Sequence, residues 1–154
     1  MLTEKLDRVL AHGRPEQLFD LAADVERYPE FLRWWIAARI RRREGNIYYT
    51  DQIVGLGPLR VRFGSKSVLR RPERIDVISD EPPFRHFGLT WIFEPQPPEG
   101  CRVSVIAEMD LRSRVLQRVM ERLLPGAVAD IVAAFEARAR LLYERAAPTG
   151  SEHR

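Results

Sequence analysis

A chain of 154 residues, 45% hydrophobic and 31% charged, has the make-up of an ordinary globular protein and is long enough to bury a sizeable core in one domain. No apolar run approaches the roughly 18 residues of a membrane-spanning helix, Glu4 and Asp7 interrupt the start of the chain so that no secretory leader is expected, and the single Cys101 excludes an internal disulfide framework and a multi-cysteine metal site. The net charge is +3, carried almost wholly by arginine because Lys5 and Lys66 are the only lysines; that excess permits anionic partners such as phospholipid headgroups or RNA without requiring them.

From the N-terminus, Thr3 to His12 read as a first strand with Leu6, Val9 and Leu10 as its apolar members. Pro15 suits the first position of a helix and Glu16 its first turn, and Leu18, Phe19, Ala22 and Val25 follow at helical spacing. Pro29 restarts a second short helix holding Phe31, Leu32 and Trp34. Two helices this short do not cover a sheet, so they are expected to brace one end of it.

Six strands come next. Trp35 to Arg42 and Ile47 to Val54 flank the turn signal Glu44-Gly45-Asn46. Gly55-Leu56-Gly57-Pro58 reads as a bend, since a strand and not a helix follows it. Leu59, Val61, Phe63, Ser65, Ser67 and Leu69 then alternate with Arg60, Arg62, Gly64, Lys66, Val68 and Arg70, the clearest half-buried strand in the chain. Arg74 to Ser79 is another. Phe84 to Glu94 carries Phe87, Leu89, Trp91 and Phe93 on one face, and Arg102 to Leu111 carries Val103, Val105, Ala107, Met109 and Leu111 on one face. Short successive connections imply an antiparallel meander.

From Ser113 to Ala147 the period changes. Apolar residues recur every three to four positions, from Val115 and Leu116 through Val119, Met120, Leu123, Leu124, Val128, Ile131, Val132 and Phe135 to Leu142, the stripe of a long amphipathic helix with Ser113 as its N-cap. Pro125 inside the stripe removes one backbone hydrogen bond and opposes the Glu121 carbonyl, so a kink or break is expected near Leu124. A hinge there would let Ser113 to Leu124 swing while Gly126 to Tyr143 stays packed. Pro148 and Gly150 end the pattern, giving one domain over residues 1–147 and a loose tail over 148–154.

The order strand, two helices, six strands, long helix describes an α+β chain: a curved antiparallel sheet of about seven strands gripping a C-terminal helix. A curved sheet and a straight helix do not lie flush everywhere, and where they diverge their apolar faces enclose a pocket. Trp34, Phe63, Phe87, Trp91, Phe93, Met109, Met120, Leu123 and Phe135 are its candidate wall and ligand-binding residues.

Nothing assembles into a catalytic set. His12, His86 and His153 are scattered, and His86 reads as a strand-face residue without chemistry. Glu108 and Asp110 share a face, but it is the solvated face opposite Met109. No metal-ligand spacing appears, and Cys101 at the start of an apolar strand reads as a buried, inert thiol. Arg39, Arg41, Arg42 and Arg43 cluster beside a turn, and Arg60, Arg62, Lys66 and Arg70 form an outward row; both suit docking to an anionic membrane surface or to ribosomal RNA.

The stretch PEQLFDLAADVERYPEFLRWW, with its YPEFL motif, then PERIDVIS, EPPFRHFGLTWIFEP and FEARARLLY, resembles the coenzyme Q-binding protein family, a branch of the START-like, polyketide cyclase/dehydrase-related superfamily that also holds the bacterial ribosome association toxin. The resemblance runs from about Pro15 to Tyr143. After YPEFL the family usually places proline, tryptophan and often cysteine, where this chain has Arg33, Trp34 and Trp35. The resemblance implies the helix-grip fold, a cavity for ubiquinone or a related polyprenyl quinone, delivery of that quinone to respiratory complexes, and Trp91 as the leading ligand-binding position. The expected protein is not an enzyme and has neither cofactor nor metal, only the quinone as ligand. It is cytoplasmic, with peripheral contact at the inner membrane and no DNA partner. A second reading is a toxin-like protein on the large ribosomal subunit that blocks subunit joining, and a third is an aromatic polyketide cyclase or dehydratase.

Overall fold

The computed structural model describes residues 1–56, 59–98 and 100–143. Its elements are β1 (Leu2–Leu10), α1 (Pro15–Ala23), a 3-10 helix (Val25–Glu30), β2 (Trp35–Glu44), β3 (Ile47–Leu56), β4 (Leu59–Arg70), β5 (Arg74–Ser79), β6 (Phe84–Pro95), β7 (Cys101–Leu111) and α2 (Arg114–Tyr143). The strands form one antiparallel sheet in the order β1-β7-β6-β5-β4-β3-β2. That is the helix-grip arrangement expected from the sequence. Gly57 and Pro58 of the expected bend, the end of the expected helix beyond Tyr143, and the expected tail with His153 lie outside the described residues.

Local chemistry explains the turns between elements. Gly13, at φ +110°, takes the chain from β1 into α1 through a conformation that side-chain-bearing residues avoid. Pro15 opens α1, and Gln17 Oε1 accepts the Arg14 backbone N–H at 2.9 Å, satisfying a helix-start donor. Gly45, at φ +60°, turns β2 into β3. Ser113 caps α2 as expected, its Oγ accepting the Leu116 N–H at 3.3 Å.

Three expectations need correction. The short helix after α1 begins at Val25 and ends at Glu30, with Pro29 inside it; Phe31, Leu32 and Trp34 follow in a turn. In β1 the inward members are Leu6, Arg8 and Leu10, whereas Val9 is 50% exposed. Strict alternation overrides residue polarity there, because Arg8 finds a partner on α2 in Glu136 at 2.8 Å. Finally, of the kink or break expected near Leu124, the break does not occur: α2 continues through Pro125 to Tyr143. Pro125 lies on the exposed face, where water can serve the carbonyl that the missing N–H leaves unpaired.

The buried face of α2 is Met120, Leu124, Ala127, Val128, Ile131, Val132, Phe135 and Ala139. It meets the inward residues of β6 and β7, where Leu89, Trp91, Phe93, Val103, Val105, Ala107 and Met109 are all buried. Each large apolar side chain fully buried there contributes roughly 1.5–3 kcal/mol of hydrophobic stabilisation. Polar ties hold the C-terminal half of α2: Arg8 to Glu136, Arg138 to Glu30 at 2.8 Å, and the Tyr143 hydroxyl donating to the Gln17 carbonyl at 3.1 Å.

Candidate functional site

The aromatic residues under α2 separate into two groups. Trp91 stacks on Phe93 with ring centroids 6.2 Å apart and meets Phe135 at 4.8 Å, and Phe19 from α1 approaches Phe93 edge-on at 5.9 Å. This group is filled core. Phe63, Phe84 and Phe87 form the second group, with centroids 5.0–5.5 Å apart. Here sheet and helix diverge and leave an apolar cavity of about 60 Å³.

Trp34, Phe63, Phe87, Met109 and Met120 line that cavity, so the structure brings five of the nine sequence-derived candidates together. Trp91, Phe93 and Phe135 lie in the filled stack, and Leu123 is partly buried beside the core; none of these four lines the cavity. Sequence reasoning missed Trp35, Val54, Phe84, Leu89, Ala107, Leu124, Ala127, Val128 and Ile131, which complete the wall. Phe84 was hidden by a register shift between Phe84 and His86, which puts Phe84 and Phe87 on one side although they are three residues apart. Leu124 in place of Leu123 follows from the four-residue step Met120, Leu124, Val128 along the buried stripe, which the sequence pattern alone could have supplied.

A smaller cavity of about 20 Å³ lies behind Trp35, Phe87 and Leu89, which line both spaces, and it carries polar groups from Tyr48, Gln52 and Ser67. Gln52 is 4% exposed; its Oε1 accepts the Trp35 Nε1–H at 2.7 Å and its Nε2 donates to Ser65 Oγ at 2.7 Å. The Trp34 Nε1–H is buried too, yet it has no hydrogen-bond partner among the described residues. Tyr28 braces the far side, its hydroxyl donating to the Ala22 carbonyl, and burial raises the pKa of that phenol above its ordinary value.

Outside the cavity the expected inert groups take the expected positions. Cys101 is a buried free thiol whose pKa burial pushes up to about 11. His86 pairs across strands with Asp110 and lies 3.5 Å from Glu108 on the outer face of the sheet. Among the described residues no three metal-ligating side chains converge, and no helix is long and apolar enough to cross a membrane.

The outer face of β2 to β4 is strongly basic. Register places Arg60, Arg62 and Lys66 outward beside Gly55, Ile53 and Tyr49, and Arg39 outward opposite Asp51. The expected turn cluster is partly neutralised: Arg41 pairs with Asp51 at 3.1 Å and Arg42 with Glu44 at 3.4 Å, while Arg43 covers the Tyr48 ring at 5.0 Å. Arg60 and Arg62 have no carboxylate partner among the described residues.

A curved sheet closed on a terminal helix, with an apolar cavity where the two part, defines a protein of the helix-grip class. The chain belongs to the family described as polyketide cyclase/dehydrase and lipid transport, whose model matches residues 12–136. Among curated proteins it is 29% identical over 126 residues to the ribosome association toxin RatA of Pseudomonas aeruginosa, covering 82% of this chain and 88% of that one. It is 25% identical over 134 residues to the mitochondrial coenzyme Q-binding protein COQ10 homolog B of Xenopus laevis, covering 84% of this chain and 55% of that protein's length. Among solved structures it superposes on a START superfamily protein from Mycobacterium smegmatis with a TM-score of 0.80 at 14% identity, over 91% of this chain and 98% of the other, a likeness of fold.

Proposed function

We propose that the protein is a non-enzymatic carrier of an apolar ligand, with a polyprenyl quinone such as ubiquinone as the leading candidate, working in the cytoplasm and at the inner membrane surface. The observation that carries this reading is the apolar cavity between β4, β6, β7 and α2. Its wall supplies carbon, sulfur and two indoles, with no carboxylate, histidine, thiol or lysine among the described residues to move a proton, which supports binding over cyclase chemistry. Uptake is driven by removing apolar ligand surface from water, about 25 cal/mol per Å². At about 60 Å³ the cavity is smaller than the roughly 300–1,000 Å³ of drug-sized sites, so the ligand parts the walls as it enters. The name of the COQ10 relative and the family's lipid-transport description support the quinone. Native mass spectrometry of protein from a membrane-containing host tests the reading: a bound quinone mass is expected, and a ligand-free spectrum that stays ligand-free after incubation with quinone would overturn it.

A second reading, association with the large ribosomal subunit, is supported by the RatA relatives and by the outward Arg60, Arg62 and Lys66. Sucrose-gradient profiles after overexpression test it. Free subunits should rise at the expense of monosomes, and the double variant Arg60→Glu/Arg62→Glu should abolish the effect; an unchanged profile with the natural chain rules the reading out.

A further inference from the structure

The buried stripe of α2 begins only at Met120. The turn before it still carries large apolar side chains, but the sheet does not cover them. Val115 is 72% exposed and Val119 37% exposed, and Leu116 and Leu123 are only partly buried. At about 100° of rotation per residue, these four share one flank of the helix, continuous with the buried stripe beside it. Leu116, Leu123 and Asp130 follow one another every two turns, so they lie on the same side of α2. Asp130 there meets Arg33 at 3.7 Å and shares a surface cleft with Trp34. The exposed flank thus rises on the side of the apolar cavity that Trp34 walls, and Met120, next to Val119, lines that cavity.

Next round the helix from the apolar flank comes a row of charge. Arg114, Arg118 and Arg122 recur every turn, all three are exposed, and none has a carboxylate partner among the described residues. Glu121 is the single acidic residue between Arg114 and Pro125, and it stands at the far edge of the row. An aliphatic strip bordered by unpaired arginines is the pattern of a helix that lies in a membrane interface. The aliphatic groups suit the acyl boundary, and guanidinium groups match phosphate oxygens two at a time. A second copy fits this surface poorly, because face-to-face packing would oppose two arginine rows. Nucleic acid offers the valines nothing to bury.

We propose that the first half of α2 is the docking surface for an anionic bilayer. Val115 and Val119, backed by Leu116 and Leu123, enter the acyl boundary while Arg114, Arg118 and Arg122 hold lipid phosphates. The proposal deepens the carrier reading and rests on it for the reason the protein visits a membrane. Docked in this way, the cavity side of α2 meets lipid, and an apolar ligand passes between bilayer and protein without crossing open water.

Vesicle flotation tests this, with phosphatidylcholine alone and with phosphatidylglycerol mixed in. The natural protein should float with the anionic vesicles only. Val115→Asp/Val119→Asp, at exposed positions, should lower the bound fraction about tenfold, and Arg60→Glu/Arg62→Glu on the outer sheet face should change it by less than about twofold. Loss in the sheet variant with retention in the helix variant overturns the assignment. A natural protein that floats with neither vesicle overturns it as well, whereas quinone detected by native mass spectrometry would leave ligand carriage standing. A dimer in sedimentation that Val115→Asp/Val119→Asp dissolves, without vesicle binding, replaces the bilayer by a second copy. A fluorophore on Val115→Cys gives a readout free of disruptive charge, since the natural thiol of Cys101 is buried. Its emission should shift to the blue on anionic vesicles, and unshifted emission from vesicle-bound protein overturns the proposal.

Discussion

Arg8, on the inward face of β1, donates from its guanidinium to Glu136 of α2 at 2.8 Å, joining residues 128 positions apart in the chain. The pair is partly open to solvent, with side chains 41% and 22% exposed, so screening limits its strength. Arg8→Ala and Glu136→Ala should each destabilise the fold by about 0.5–1 kcal/mol, with a coupling energy no larger than that in a double-mutant cycle. Chemical denaturation of the four proteins measures it; a coupling of zero would make this an ornament of the surface.

The filled and the empty aromatic regions should respond differently to truncation. Phe135 sits against Trp91 at 4.8 Å and is 1% exposed, so Phe135→Ala should cost about 3–5 kcal/mol. Met120 borders the cavity and already lacks packing partners on one side. Met120→Ala should cost about 2 kcal/mol, at the low end for such a change, and should enlarge the cavity enough to strengthen binding of bulky apolar ligands. Urea denaturation and ligand titration on the same variants check both halves of the statement.

Pro125 interrupts the hydrogen bonding of α2 between a first half held by local contacts at Ser113 and Gln117 and a second half tied to β1, α1 and the 3-10 helix. Pro125→Ala should stabilise the helix by up to about 3 kcal/mol. If the first half swings to admit ligand, the same change should slow ligand exchange in stopped-flow measurements. Unaltered exchange in a stabilised variant would leave Pro125 as a bend and nothing more.

Cys101 sets an alkaline limit. Its folded pKa is about 11 against an ordinary 9.0, because burial disfavours the thiolate. In that interval the unfolded state has released a proton that the folded state retains. The contribution to stability is therefore constant below about pH 9 and falls as pH rises toward 11. Cys101→Ser should flatten the decline in melting temperature across this window, and iodoacetamide at pH 8 should modify the natural chain only after denaturant is added.

The fold was legible because its strands alternate cleanly. From Val61 to Leu69 in β4, and in β6 and β7, the inward residues named from sequence are buried or half-buried, and the long stripe from Val115 to Leu142 admits no other reading than a helix. The site was less legible for specific reasons. A register shift at Phe84 changes the face of a residue without changing its type. Trp91, the leading single position from the family resemblance, lies where sheet and helix touch, and only coordinates separate touching from parting. The difference between Trp34 and Trp35 rests on which indole meets Gln52, a residue 17 positions away from Trp35, and no local pattern encodes that.

The sheet is open, and β2 forms one of its margins. An unpaired strand margin is a template on which a second molecule can grow a strand, and such growth leads toward fibres. β2 carries Arg39, Arg41, Arg42 and Arg43 along its length, and its pairing with β3 slips at Trp35/Ala37 and again at Ile40/Arg42. Two copies brought margin to margin would set arginine against arginine on strands that are not straight. The 3-10 helix guards the same margin, because Glu26 accepts the Ile40 N–H at 2.8 Å and so removes one of the donors on which a second strand would grow.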